Sequence, residues 1–398
     1  MEALIRALSY KGIPLWRHVQ VVQWTTQIVS GVLVVVLVVW FFANIGNAIQ
    51  DREIPSGFGF LDREYQTPIG HSFLSYDSSD SFLYAFVVAF VNTLLVSVVG
   101  VILATALGIA VGVARISGNW LVSKIALAYI EFFRNVPLLV QLFFWFYIVV
   151  ELPVWQDSYS VADLVFLNNR YLAIPFLSPS GLVGALVWVL VSVGGIGAAI
   201  FAYRRLIDRE VRTGSAAYPI LSGFAITFLV GALAWGVLSV ATGDAPFSIT
   251  VPNPQEPFGR VEGGFVLPGA LITLMVGLVM YTAAFIAEIV RAGLQSVSRG
   301  QRESARALGL SGMTALRHVT FPQALRVIVP PLISQYLNLT KNSSLAGAIG
   351  YSDLTNVAKT MTQTAPAVSI FLMVMIAYLV LSLTYSLIGN LYNRHIRF

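Results

Sequence analysis

Residues 82–114 read FLYAFVVAFVNTLLVSVVGVILATALGIAVGVA, thirty-three positions without an Asp, Glu, Lys or Arg. About 20 mostly apolar residues suffice for a helix to cross a bilayer, so this stretch crosses with tilt or protrudes. Gly100, Ala104, Gly108 and Gly112 recur along it, and small residues let helices approach closely. Working outward, seven further stretches have the same character, at about 24–44, 123–150, 181–203, 219–241, 265–290, 324–350 and 367–391. The seventh of the eight is interrupted by Pro330, Pro331 and a polar run from Asn338 to Ser344. The expected fold is therefore an all-α membrane protein of about eight transmembrane helices.

Composition supports this reading. The chain has 398 residues, 57% apolar and 11% charged, whereas soluble domains have about 45–50% and about 25%. A soluble core could not cover that much apolar surface. No cysteine is present, which removes disulfides, thiolate metal sites and cysteine nucleophiles. The first apolar run lacks a following small-residue cleavage site and reads as an anchor.

Alternate loops differ in charge. One side carries seventeen Lys and Arg, among them Arg204, Arg205, Arg209, Arg212 and Arg291 through Arg326; the other carries Arg52, Arg63, Arg170, Arg260 and Lys359. By the positive-inside rule the first side and both termini are cytoplasmic. The basic balance is thus a topology signal, and nucleic acid is not an expected partner. Multi-pass insertion in a bacterial inner membrane follows. The segments 45–81, 151–180 and 242–264 read as periplasmic connectors, rich in Pro, Gly, Asp and Ser. The spans at 181–241 lie between two of these and read as an insertion into a five-span core. The expected organisation is an anchor helix and loop at 1–81, core at 82–150, the insertion at 151–264 and core again at 265–398.

The longest cytoplasmic loop, 291–323, is the most informative. Ser298 suits a helix cap, Ala305 and Leu308 are expected on one face, and Gly309 suits a sharp helix stop. A second short helix is expected at about 311–319, running into Phe321-Pro322 before the next span. A helix–Gly–helix elbow suits insertion into a groove on a soluble partner, and equally suits an amphipathic hairpin on the headgroups.

This loop resembles the EAA loop of binding-protein-dependent ATP-binding-cassette importers, with Glu303-Ser304-Ala305, Gly309, Val319 and Phe321-Pro322 at the spacing of that pattern. Ser304, Val319 and Phe321 depart from it conservatively. Glu131-Phe-Phe-Arg134-Asn135-Val-Pro137-Leu-Leu-Val-Gln141 is similar to a signature of polar amino-acid permeases, with Asn135 where many relatives have glycine. Asn338 through Leu345 is similar to a second. The resemblance covers about 82–150 and 265–391, and the extra spans resemble the larger permeases of general L-amino-acid importers. It implies a type I importer-like five-helix core plus the N-terminal helix and the two-helix insertion. It implies that Glu303, Ser304, Ala305, Leu308 and Gly309 dock into a separate ATPase. It further implies a second, related permease chain, two cytoplasmic ATPases that hold ATP and magnesium, and a periplasmic amino-acid-binding protein.

Polar groups within spans are expensive and usually functional. Glu131 and Arg134, three apart on a helix face, are expected to pair. Gln141, seven beyond Arg134, is expected on the same face, with Pro137 freeing a carbonyl between them. This set fits reading of an amino acid's carboxylate and ammonium, and equally a structural ion pair at a kink. Thr340, Asn342, Ser343 and Ser344 are expected to line a solute site where a span unwinds, against plain hydrogen-bonded helix packing. Glu288 and Arg291 read as a helix-end ion pair. The four histidines fall outside the spans, and no Gly-x-x-x-x-Gly-Lys-Ser/Thr stretch occurs, so neither a histidine site nor ATP binding is expected here. A rival reading is an ion-coupled secondary amino-acid transporter, opposed by the docking loop and the scarcity of mid-membrane acids. A structural subunit of a membrane complex is a third.

Overall fold

The computed structural model describes residues 9–10, 13–14, 19–51, 55–216, 218–255 and 260–396. Arg52, used above to orient the chain, lies outside them, as do Arg6 and Arg397 at the extreme ends, which belong to the seventeen. The chain divides into two compact units, residues 1–93 with 352–387, and residues 94–351 with 388–398.

The first unit holds a short strand pair, Ser9–Tyr10 (β1) and Ile13–Pro14 (β2), and the long helix Val19–Asp51 (α1), whose apolar window buries nothing within the structure. It also holds the start of α2 (Phe82–Arg115), α11 (Leu354–Met361) and most of α12 (Ala367–Ile396). The loop at 55–81 folds back on α2 through edge-on aromatic contacts of Phe82 with Phe60 (5.4 Å) and Tyr65 (5.0 Å). Two polar residues in apolar α2 then tie the unit together. The Asn92 carboxamide donates to the His71 and Ser352 carbonyls and accepts from the Phe73 amide. Thr93 Oγ1 accepts from the Leu354 amide. Asp353 caps α11, accepting from the Thr355 and Asn356 amides. Burial pushes this carboxyl up to about 6.

The second unit is organised around α7 (Gly269–Ser296), the most buried of the membrane-length helices. Glycine is what lets its neighbours approach. A Cβ on Gly112 of α2 would stand 2.7 Å from the Ala287 carbonyl oxygen, and one on Gly277 of α7 would stand 2.6 Å from Leu142. The stretch expected as one third span, with Pro137 at a kink, is two helices, α3 (Trp120–Asn135) and α4 (Leu138–Val150), bent by 105° at that proline. Val136 is extended there, because a residue before proline avoids the helical region. Arg134 and Gln141 therefore do not share a helix face as their spacing suggests. Six described helices are long and apolar enough to cross a membrane, and the bent pair makes seven. The helix α10 (Phe321–Asn342) is more polar and hands over to a 3-10 segment, Ser343–Ile349, which ends at Gly350 with φ +78°.

The helical class expected from composition is the one observed, with one addition. The connectors at 151–180 and 242–264 are not simple loops. Strands β3 (Tyr159–Val161), β4 (Val165–Leu167) and β5 (Tyr171–Ile174) form an antiparallel sheet completed by β10 (Phe265–Pro268), in the order β10-β5-β4-β3. β6 (Phe176–Pro179) pairs with β7 (Phe247–Thr250), and β8 (Asn253–Gln255) with β9 (Arg260–Glu262). The β6–β7 ribbon continues into helices α5 (Leu182–Thr213) and α6 (Pro219–Thr242), which pack chiefly on each other. Trp188, Trp235 and Phe247 lock that junction, with ring centroids 5.4–6.2 Å apart and the Trp188 indole donating to the Gly231 carbonyl.

Candidate functional site

The loop after α7 folds as the helix–Gly–helix elbow expected. Helix α8 (Arg299–Ala307) stops at Gly309, whose φ is +73°, a conformation costly for any residue with a side chain. The Leu310 amide reaches back to the Ala305 carbonyl (3.1 Å) and the Leu308 amide to Ser304 (3.0 Å), closing the helix end. Glu303 and Ser304 are exposed. Ala305 and Leu308 do not share one face as expected. Ala305 is 3% exposed and packs inward, whereas Leu308 is 79% exposed at the tip. Helix α8 ends at Ala307, so Leu308 lies past its last residue, and the turn into Gly309 carries it out of the inward-facing stripe. The second short helix runs into Phe321-Pro322 as expected, but without a break before the next span. Helix α9 (Gly312–Ala315) runs through a π-turn at Leu316–Thr320 directly into α10. Pro322 has no N–H to donate one turn back, which admits the wider turn. On the loop's membrane flank, Arg291 and Glu288 form the ion pair expected at the end of α7.

The second cluster sits at the α3–α4 bend. The Glu131–Arg134 pair expected from spacing is not formed. Glu131 accepts from the Asn135 carboxamide (3.2 Å), and the Arg134 guanidinium lies over the Phe285 ring, 5.4 Å from its centroid. A ring face on α7 holds the guanidinium in place of the carboxylate. Glu131, Arg134 and Asn135 are all exposed, and Arg134 lies within electrostatic range of Glu288. Gln141 is placed differently. It is 3% exposed, and its amide donates to the Phe133 (3.0 Å) and Val136 (2.9 Å) carbonyls, two acceptors that the end of α3 leaves open. It brackets the bend.

The third cluster is the end of α10. Thr340 and Ser343 are buried, and their hydroxyls donate to the carbonyls of Tyr336 (3.0 Å) and Thr340 (2.7 Å). Ser344 donates to the Lys341 carbonyl (2.7 Å). Asn342 and Ser344 are partly accessible and Lys341 is exposed. The break from α to 3-10 follows from these hydroxyls competing for the helix's own carbonyls. Tyr336, one turn earlier, receives a hydrogen bond from Thr105 of α2 (3.0 Å). Sequence reasoning missed Phe285 and Tyr336, since neither falls within a polar run. Spacing alone offers no signal for a ring that serves a side chain on another helix.

Residues 219–398 match the family of binding-protein-dependent transport system inner membrane components. Over 98% of this chain and 98% of its own length, a putative amino-acid ABC transporter permease protein, YhdX of Escherichia coli, is 40% identical. The general L-amino acid transport system permease protein AapQ of Rhizobium johnstonii is 39% identical over 92% of this chain and 90% of its own. BztB of Rhodobacter capsulatus, a glutamate/glutamine/aspartate/asparagine transport system permease protein, is 37% identical over 94% and 93%.

Proposed function

Since the chain belongs to the amino-acid ABC transporter permeases, a non-catalytic and membrane-spanning family, we propose that it forms half of an importer's pore. L-amino acids then pass from the periplasm to the cytoplasm between this chain and a second, related permease. ATP and magnesium are held by two separate cytoplasmic ATPase subunits, and a periplasmic binding protein delivers the solute. Both termini are cytoplasmic. The core comprises 82–150 and 265–398, with 1–81 as anchor and loop and 151–264 as insertion.

One observation carries this reading, the exposed Leu308 at the tip of a glycine-terminated elbow beside Glu303 and Ser304. A protruding apolar side chain on a fixed turn fits a groove on a rigid partner, and closure of paired ATPases would rock that turn and re-aim the helices above it. Toward the solute, the accessible members of the two polar clusters take the contacts. Arg134 meets the carboxylate, while Asn135, Asn342 and Ser344 offer amide and hydroxyl partners. Gln141, Thr340 and Ser343 hold the backbone that presents them. The binding protein sets most of the selectivity. Reconstitution with the partner subunits tests the docking. Glu303→Lys and Leu308→Asp should abolish solute-stimulated ATP hydrolysis while insertion stays intact, and wild-type hydrolysis in both would overturn the assignment.

A further inference from the structure

Helices α5 and α6 flank an open apolar groove of about 320 Å³, walled by Ile196, Ile200 and Tyr203 on one side and Ile220, Gly223 and Phe224 on the other. Thr227 also lines it, but its hydroxyl is spent on the Gly223 carbonyl (3.0 Å). The walls thus offer hydrocarbon contact and little hydrogen bonding, which suits neither a polar solute nor a peptide backbone.

At the groove's end the chain turns basic. Arg204, Arg205, Arg209 and Arg212 stand against Asp208 and Glu210 alone, and α5 stays helical through all of them. Among the described residues none of the four arginines forms an ion pair with either acid. Ile196, Ile200 and Arg204 follow one another at four-residue intervals, so Arg204 continues a groove wall into the mouth. Arg205 is set over the Phe201 ring, 5.1 Å from its centroid, where the apolar face ends.

Cations left without carboxylate partners at the mouth of an apolar groove call for an anion that carries a hydrocarbon tail. We propose that this arm binds an anionic glycerophospholipid, with an acyl chain in the α5–α6 groove and the phosphate at Arg204 and Arg205. Topology signalling requires only that basic residues lie on the right side. It does not require them to crown a groove. The proposal rests on the membrane placement of α5 and α6 and is independent of which solute the importer carries.

The purified chain would be titrated with phosphatidylglycerol or phosphatidylcholine and its bound lipids counted by native mass spectrometry. Wild type should prefer phosphatidylglycerol by about tenfold or more, since one arginine near an anionic headgroup is worth roughly fivefold in affinity. Arg204→Gln with Arg205→Gln should abolish the preference and leave phosphatidylcholine retention unchanged. Gly223→Leu, at a position where a Cβ meets open space, should fill the groove and reduce retention of phosphatidylglycerol with every arginine in place. A photo-crosslinker at Phe224 in native membranes should capture lipid. Unchanged preference in the double arginine variant, unchanged phosphatidylglycerol retention in Gly223→Leu, or capture at Phe224 of a protein chain instead of lipid overturns the proposal.

Discussion

Replacing Gly309 with a graded series tests whether the elbow's shape carries coupling. The backbone there sits at φ +73°, where a residue with a Cβ suffers a clash worth about 1–2 kcal/mol that Asn partly escapes by local hydrogen bonding. The cost falls on the turn closed by the Leu310-to-Ala305 and Leu308-to-Ser304 hydrogen bonds, and open space surrounds the position, so no packing clash adds to it. About 1–2 kcal/mol lowers the fraction of correctly turned loops by about fivefold to thirtyfold. Gly309→Asn should therefore stay near wild type, Gly309→Ala should lose coupling within that range, and Gly309→Pro should abolish it, since proline cannot adopt positive φ. The assay is solute-stimulated ATP hydrolysis by the reconstituted importer, at matched amounts of inserted protein. Equal activity for Asn, Ala and Gly at this position, or an active proline variant, would refute the reasoning.

Gln141→Leu removes two hydrogen bonds and strands two carbonyls at the α3–α4 bend, so it should destabilise the protein by about 2–4 kcal/mol and lower its thermal midpoint; an unchanged midpoint would mean the bend needs no bracket. Asn342→Leu and Ser344→Ala should slow solute uptake without changing the binding protein's own affinity, and unaltered uptake in both would return this cluster to helix packing. Asp353 has a carboxyl raised from 3.8 to about 6 by burial, so the folded state holds its proton more tightly than the unfolded chain does. The resulting stabilisation is present below about pH 4 and lost as pH rises through 6. Asp353→Asn should keep the helix cap, raise the thermal midpoint at pH 7.5 and flatten its pH dependence between 4 and 6, whereas a midpoint lower than wild type at pH 7.5 would contradict this.

The sequence by itself determined the solvent in which this protein folds and set an expectation for the side from which its loops emerge, because both depend on sums over many residues. Long runs without charge, and arginine concentrated in alternate loops, survive any local misreading. The Gly309 elbow was also legible, since a helix stop depends on a few neighbours and a residue type that tolerates positive φ. What depends on groups distant in sequence was not legible. The Glu131–Arg134 spacing suggested a pair, yet Phe285 of α7 competes for the guanidinium and no helical periodicity reports that ring. Gln141 looked like a site residue because a seven-residue spacing put it on the Arg134 face, but the 105° bend turned it toward the open carbonyls of α3. Strands β5 and β10, and β6 and β7, pair across a two-helix insertion, so their short segments read singly as connectors. A backbone pairing between residues 68 to 74 positions apart, as in the β6–β7 ribbon, stabilises nothing until the intervening helices have brought its ends together. Only the tertiary structure decides that.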